Sequence, residues 1–99
     1  MNDALNLLGL ARRAGKLQTG HDAALLSVRK GNASLVILTA DASPRHAREL
    51  EAAGFTRVVS VPFTMADTGI ATGKKSCIYA LEDEGFSNAF INKISKEGI

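Results

Sequence analysis

Two short stretches of this chain gather residue types that hold anions. Residues 16–22 read KLQTGHD and residues 73–76 read GKKS, and each joins a glycine, a hydroxyl or amide donor and lysine at a junction between loop and helix. The first N–H groups of a helix have no intrahelical partner and the helix dipole favours negative charge there, so KLQTGHD is able to receive a phosphate. GKKS sets Lys74 and Lys75 beside the flexible Gly73. Thr19 and Asp22 also stand at capping-box spacing, which accounts for a helix start without any ligand.

Catalysis has nothing comparable to stand on. There is no G-x-G-x-x-G or Walker loop, and the two histidines, His21 and His46, lie in helix starts far apart in the chain. No Cys/His cluster has metal-ligand spacing, so neither a metal nor a cofactor is expected. Glu82, Asp83 and Glu84 form an acidic run, read as a solvated turn that places negative charge near a helix N-terminus. Cys77 sits in an apolar run and reads as a small core residue rather than a nucleophile. With no base and nucleophile assembled, the chain is expected not to be an enzyme.

The elements that must position these stretches follow from the spacing of apolar residues. Ala4, Leu7, Leu8 and Ala11 recur at helical spacing between Asn2 and Ala14, with Gly15 as a left-handed terminator. A second helix opens at Thr19, buries Ala24, Leu25 and Val28, and stops at Gly31; Leu26 falls off that stripe and is expected to be partly exposed. Ser34 to Thr39, SLVILT, is short, apolar and rich in branched side chains, as in a strand covered on both faces. Ser43-Pro44 is an N-cap followed by Pro at the first helical position, and the helix carrying Ala47, Leu50 and Ala53 ends at Gly54. Arg57 to Val61 is a second strand. Thr64 and Asp67 repeat the capping-box spacing before a short helix expected to fray at Gly69 and end near Gly73. Ser76 to Leu81 is a third strand, and Phe86, Phe90 and Ile94 mark one face of a last helix.

Helices alternating with buried strands over short connections predict an α/β fold in three layers, α-β-α. A chain of 99 residues that is 45% hydrophobic can build one sizeable core but not two, so a single domain over residues 1–99 is expected. A lone cysteine excludes an internal disulfide, the opening MNDALNLL lacks the form of a secretory signal, and no apolar run reaches membrane-spanning length. A cytoplasmic protein with no membrane partner is expected. The net charge of +2 is unevenly spread: residues 1–31 hold five bases and two acids, the remainder seven and eight. A basic N-terminal third is compatible with a polyanion-binding face.

The ordered set LNLLGLARRAGKLQTG, a helix bounded by glycines, LVILTADASP, DTGIATGKK and a strand followed by EDEGF resembles the kink-turn RNA-binding ribosomal-protein family, in particular its small bacterial YlxQ/YbxF-like branch. The resemblance runs over essentially the whole chain. It implies a mixed sheet of about four short strands among about five helices, with KLQ as an added first strand. It also implies non-catalytic binding of a sharply bent RNA, in ribosome- or translation-related complexes. The second helix would enter the groove at the kink, where the bend exposes base edges that A-form RNA hides, and the loop before the last strand would cover the bulged nucleotides.

Carried over residue by residue, the resemblance assigns RNA contacts to Lys16, Thr19, Gly20, His21, Asp22, Ala23, Leu26, Lys30, Gly73, Lys74, Lys75 and Ser76, with additional phosphate contacts from Arg12 and Arg13. Where strong kink-turn binders carry Gly-x-Asn-Glu, this chain has Gly20-His21-Asp22-Ala23, and Leu26 stands in place of a lysine. Asp22 accepts hydrogen bonds but has no amide to donate. Since a good base-specific pair contributes about 1–3 kcal/mol, altered or reduced RNA selectivity is expected, with the phosphate contacts retained. The alternative is a protein-interaction adaptor that keeps the fold with a weakened RNA face.

Overall fold

The alternation of apolar patterns resolves into nine elements in the computed structural model, which describes residues 3–96. They are α1 (Asp3–Arg13), β1 (Leu17–Thr19), α2 (His21–Arg29), β2 (Leu35–Leu38), α3 (Pro44–Ala52), β3 (Val58–Ser60), α4 (Met65–Thr72), β4 (Ile78–Leu81) and α5 (Glu84–Lys96). Asn2, read as the first residue of the opening helix, lies outside the described residues.

The strands form one mixed sheet in the order β1-β4-β2-β3. β2 runs parallel to β3, with Val36 opposite Val58, and antiparallel to β4, with Ile37 opposite Tyr79. Leu17 of β1 pairs with Leu81 of β4, so the KLQ segment does supply the extra strand, shifted by one residue to Leu17–Thr19.

Strand side chains alternate between faces, and here both faces are covered. Leu35, Ile37, Tyr79 and Leu81 join Leu8, Ala11, Phe90 and Ile94 on the side of α1 and α5, where Ala71 of α4 also packs. Val36, Leu38, Ile78 and Ala80 meet Ala24, Leu25 and Leu50 on the side of α2 and α3. This is the three-layer arrangement expected from the fully apolar strands. α1 and α4 lie close enough that a β-carbon on Gly9 would stand 2.7 Å from the Ala71 carbonyl oxygen.

Three local expectations need correction. α2 starts at His21 with Gly20 as its N-cap, and there is no Thr19/Asp22 capping box. Thr19 is held in the β1–β4 ladder opposite Tyr79, and the ladder continues through Gly20, whose N–H donates to the Ile78 carbonyl at 3.1 Å. The strand pairing therefore decides where the helix begins. In α3 the buried residues are His46 and Leu50, while Ala47 and Ala53 are exposed. Finally, α4 continues through Gly69 to a left-handed Gly73, whose N–H donates to the Gly69 carbonyl at 2.8 Å. The Thr64/Asp67 capping box that opens α4 is present as expected.

Candidate functional site

The chain enters the site by a tight reversal. At the end of α1 the Gly15 N–H donates to the Arg12 carbonyl and the Lys16 N–H to the Ala11 carbonyl, a Schellman closure that requires the left-handed Gly15 and leads Lys16 directly into β1. Three residues later Gly20 turns the chain out of the sheet with φ 105 and ψ 161, a backbone region that only glycine visits easily. Having no side chain, Gly20 leaves the first-turn N–H groups of α2 without a side-chain cap. Asp22, also in that turn, is fully exposed and makes its contact with the neighbouring His21 ring.

The 73–76 loop lies directly beside this turn. The Ile78 carbonyl accepts both from the Gly20 N–H, at 3.1 Å, and from the Ser76 hydroxyl, at 2.9 Å. Two segments more than fifty residues apart in sequence thus converge on one oxygen. The loop is held from below as well. The buried Tyr79 hydroxyl lies 3.0 Å from the Lys74 carbonyl and 2.9 Å from the Thr68 hydroxyl, and the Thr72 hydroxyl donates to the same Lys74 carbonyl at 3.1 Å. The loop backbone also presses on α4, where a β-carbon at Gly69 would come within 3.2 Å of the Lys75 Cα. Glycine at 69 permits this close approach. With their backbone fixed, Lys74 and Lys75 project outward, and the Arg12 guanidinium lies over Gly73, 3.1 Å from where its β-carbon would be. The Arg13 guanidinium lies near Gly9 of α1, 3.8 Å from where its β-carbon would be.

The outer face of α2 borders a shallow cleft of about 180 Å³ lined by Gln18, Ala23, Leu26, Ser27, Lys30, Asn32 and Glu82. Leu26 is 50% exposed, as its position off the buried stripe implied. Glu82 is not part of a simply solvated turn: its carboxylate accepts from the Gln18 amide at 3.1 Å and from the Ser27 hydroxyl. Its neighbours act structurally, with Asp83 accepting the Phe86 N–H at 2.8 Å in the first turn of α5 and Glu84 pairing with Arg57. Ser27 and Asn32 were missed in the sequence, and Gln18 and Glu82 were read only within KLQTGHD and the acidic run, because the cleft draws on separate stretches of the chain.

Behind the start of α2, against α3, the two histidines meet with ring centroids 5.3 Å apart, contrary to the expectation that they are unrelated. His21 Nε2 lies 3.0 Å from Glu49 Oε2, and its Nδ1 lies 3.0 Å from Asp22 Oδ1. Hydrogen bonding first to Asp22 and then to Glu49 raises the His21 pKa, and the same His21 contact lowers that of Glu49. Burial pushes His46 the other way, towards the neutral ring. Cys77 is half-buried with its Sγ 3.4 Å from His46 Nε2. With both nitrogens occupied, His21 ties the start of α2 to α3. The spacing of His46 and Glu49 by three on one helix was the available signal for this cluster.

The profile of the ribosomal protein L7Ae/L30e/S12e/Gadd45 family matches residues 2–91. The chain is 34% identical over 91 residues to the RNA-binding protein YlxQ of Bacillus subtilis (strain 168), spanning 87% of this chain and 89% of that one. It is 32% identical over 88 residues to the RNA-binding protein YlxQ of Enterococcus faecium, with 85% and 84% covered. Among solved structures it superposes on a protein with unknown function from Bacillus halodurans at a TM-score of 0.83 and 30% identity, covering 96% and 99% of the two chains. The Giardia lamblia 15.5kD RNA binding protein shares the fold at a TM-score of 0.71 and 24% identity, over 93% of this chain and 82% of that one.

Proposed function

The chain belongs to the ribosomal protein L7Ae/L30e/S12e/Gadd45 family, and from that premise we propose that it is a non-catalytic, single-domain binder of structured RNA, acting in the cytoplasm in ribosome- or translation-related complexes. The observation that carries this reading is the convergence of Gly20 and Ser76 on the Ile78 carbonyl. It makes one continuous surface of an uncapped helix N-terminus and a lysine-bearing loop. Phosphates of a bent RNA bind Lys16, Lys74, Lys75 and Arg12, with the α2 N–H groups adding a dipolar contribution. Asp22 and the cleft along Ala23 and Leu26 face the base edges, with Lys30 at its rim on a further phosphate.

Recognition there differs from that of the strongest kink-turn binders, because apolar Ala23 and Leu26 offer no hydrogen bond where those relatives have polar side chains. The RNA is held mainly through its backbone, so binding falls steeply with salt. A titration of kink-turn RNA against plain duplex, repeated with Lys30→Ala and Lys74→Ala, tests the proposal. We expect the kink-turn to bind more tightly and each variant to reduce the salt slope by about one. Equal affinity for both RNAs, unaffected by either substitution, would sink it. The exposure of Ile70, at 75%, together with that of Leu26, favours the adaptor as the second reading. Co-purification with a protein partner and no RNA would support that instead.

A further inference from the structure

The cluster formed by His21, His46 and Glu49 lies behind the RNA-facing turn, and nothing in that function requires it. One ligand atom from each residue comes together within a span of 4.8 Å. His46 is 8% exposed, and its Nδ1 has no hydrogen-bond partner, with Glu49 Oε1 lying 4.0 Å away. An unpartnered buried polar atom is costly unless something else occupies its lone pair. We propose that His21 Nε2, His46 Nδ1 and the Glu49 carboxylate bind a Zn²⁺-like divalent cation that pins the start of α2 to α3.

The supporting contacts have the form such a site needs. A metal-bound histidine usually donates its second ring N–H to an acceptor, which fixes its tautomer and orientation. His21 has Asp22 Oδ1 against its Nδ1 at 3.0 Å, leaving Nε2 to face the cluster. His46 has Cys77 Sγ against its Nε2 at 3.4 Å, leaving Nδ1 to face it. The two outer partners therefore select opposite ring nitrogens, and those are the two that face the Glu49 carboxylate, at 3.0 and 4.0 Å. Two nitrogens and a carboxylate suit zinc or a neighbouring transition ion and do not suit magnesium or calcium. Two ligands of one tetrahedral zinc stand about 3.4 Å apart, so the group must close by more than an ångström from its present span of 4.8 Å. Glu49 and His21 are about one-third exposed and free to close, whereas His46 is the rigid member. Arg45, now 3.7 Å from Glu49 and largely exposed, swings away as the ion enters. Binding expels the proton held between His21 and Glu49, and water completes the coordination.

The test titrates tag-free, metal-stripped full-length protein with Zn²⁺ by calorimetry, with Mg²⁺ as the contrast and Co²⁺ absorption as the spectroscopic readout. We expect one Zn²⁺ per chain, a Tm raised by Zn²⁺, no response to Mg²⁺, and a Co²⁺ spectrum without thiolate charge-transfer bands. Glu49→Gln and His21→Gln, at positions about one-third exposed, should each weaken Zn²⁺ binding by at least about tenfold. His46→Gln should do the same where it folds, and the two exposed variants decide the matter if it does not. Zn²⁺ binding unchanged in Glu49→Gln and His21→Gln, an equal response to Mg²⁺, or thiolate bands showing Cys77 as a ligand would each overturn the proposal.

Discussion

Tyr79→Phe removes one oxygen atom from the fully buried floor of the 73–76 loop. The ring stays in a site that is 0% exposed, so no apolar packing is lost and no cavity larger than a hydroxyl appears. What disappears is the link from the hydroxyl to the Lys74 carbonyl at 3.0 Å and to the Thr68 hydroxyl at 2.9 Å. Neither partner is left without a neighbour: the Thr72 hydroxyl stays 3.1 Å from the Lys74 carbonyl, sharing its one proton with the Thr68 carbonyl at 2.8 Å, and Thr68 retains backbone carbonyls within 3.3 Å. The loss is therefore that of a net buried hydrogen bond, about 1–1.5 kcal/mol, without the larger penalty of an unsatisfied group. In a domain of this size that lowers Tm by roughly 4–10 °C. Thermal and urea denaturation followed by circular dichroism measure it, with an unchanged urea slope as the sign that only stability has moved. Because Tyr79 and Thr72 share the Lys74 carbonyl, a cycle with Thr72→Val should be non-additive by about 0.5 kcal/mol or more. RNA affinity should fall several-fold at a temperature where Tyr79→Phe is fully folded. A Tm equal to wild type, or additive effects in the cycle, would refute the claim that this network organises the loop.

Gly9→Ala places a β-carbon 2.7 Å from the Ala71 carbonyl, a backbone atom that cannot rotate away. Overpacking of about 1–3 kcal/mol should exceed the gain of up to about 1 kcal/mol in helix propensity, so a raised Tm would contradict the α1–α4 packing described above. The Asp41 carboxylate is held below its ordinary pKa of 3.8, first by the Thr39 hydroxyl at 2.7 Å and also by the Met65 N–H. Because the folded value is depressed, the unfolded chain takes up the proton first. The contribution of Asp41 is present above pH 3.8 and is lost as pH falls through the folded value. Asp41→Asn should accordingly be less stable than wild type near neutrality, with the two stabilities converging in acid; a gap independent of pH would exclude this origin. Leu26→Lys restores a cation on the exposed face of α2 and should tighten kink-turn binding by about tenfold, the lower end of one good base contact, as read by titration at fixed salt. No change in affinity would show that this face does not touch the RNA.

Much of the architecture was legible because it rests on local rules. The continuous apolar runs around Val36 and Tyr79 signalled strands covered on both sides, and Ser43-Pro44 and Thr64/Asp67 signalled helix starts by chemistry confined to one turn. The same reasoning failed at Thr19 and Asp22, where the spacing of a capping box was present but Thr19 was already committed to the β1–β4 ladder and Asp22 turns to the His21 ring. It failed again in α3, where His46 rather than Ala47 faces inward, because burial of an imidazole depends on the neighbours that receive it. For the site, the basic segments were visible as compositions, but their adjacency was not.

The sequence by itself determined the inventory: alternating helices and buried strands, glycine turns at 15 and 73, lysines at 16, 30, 74 and 75, and apolar Ala23 and Leu26 on a helix face. Each of these follows from the spacing or side-chain chemistry of near neighbours. Only the tertiary structure decided which pieces meet. β4 passes between β1 and β2, and this pairing brings the 73–76 loop against the start of α2, converts Glu82 from a turn residue into the floor of a cleft, and leaves α2 and α3 packed on one face so that His21 reaches His46 and Glu49. Strand order is a balance among long-range pairings and two shared cores. Those contacts have no period along the chain, so no local pattern could carry them.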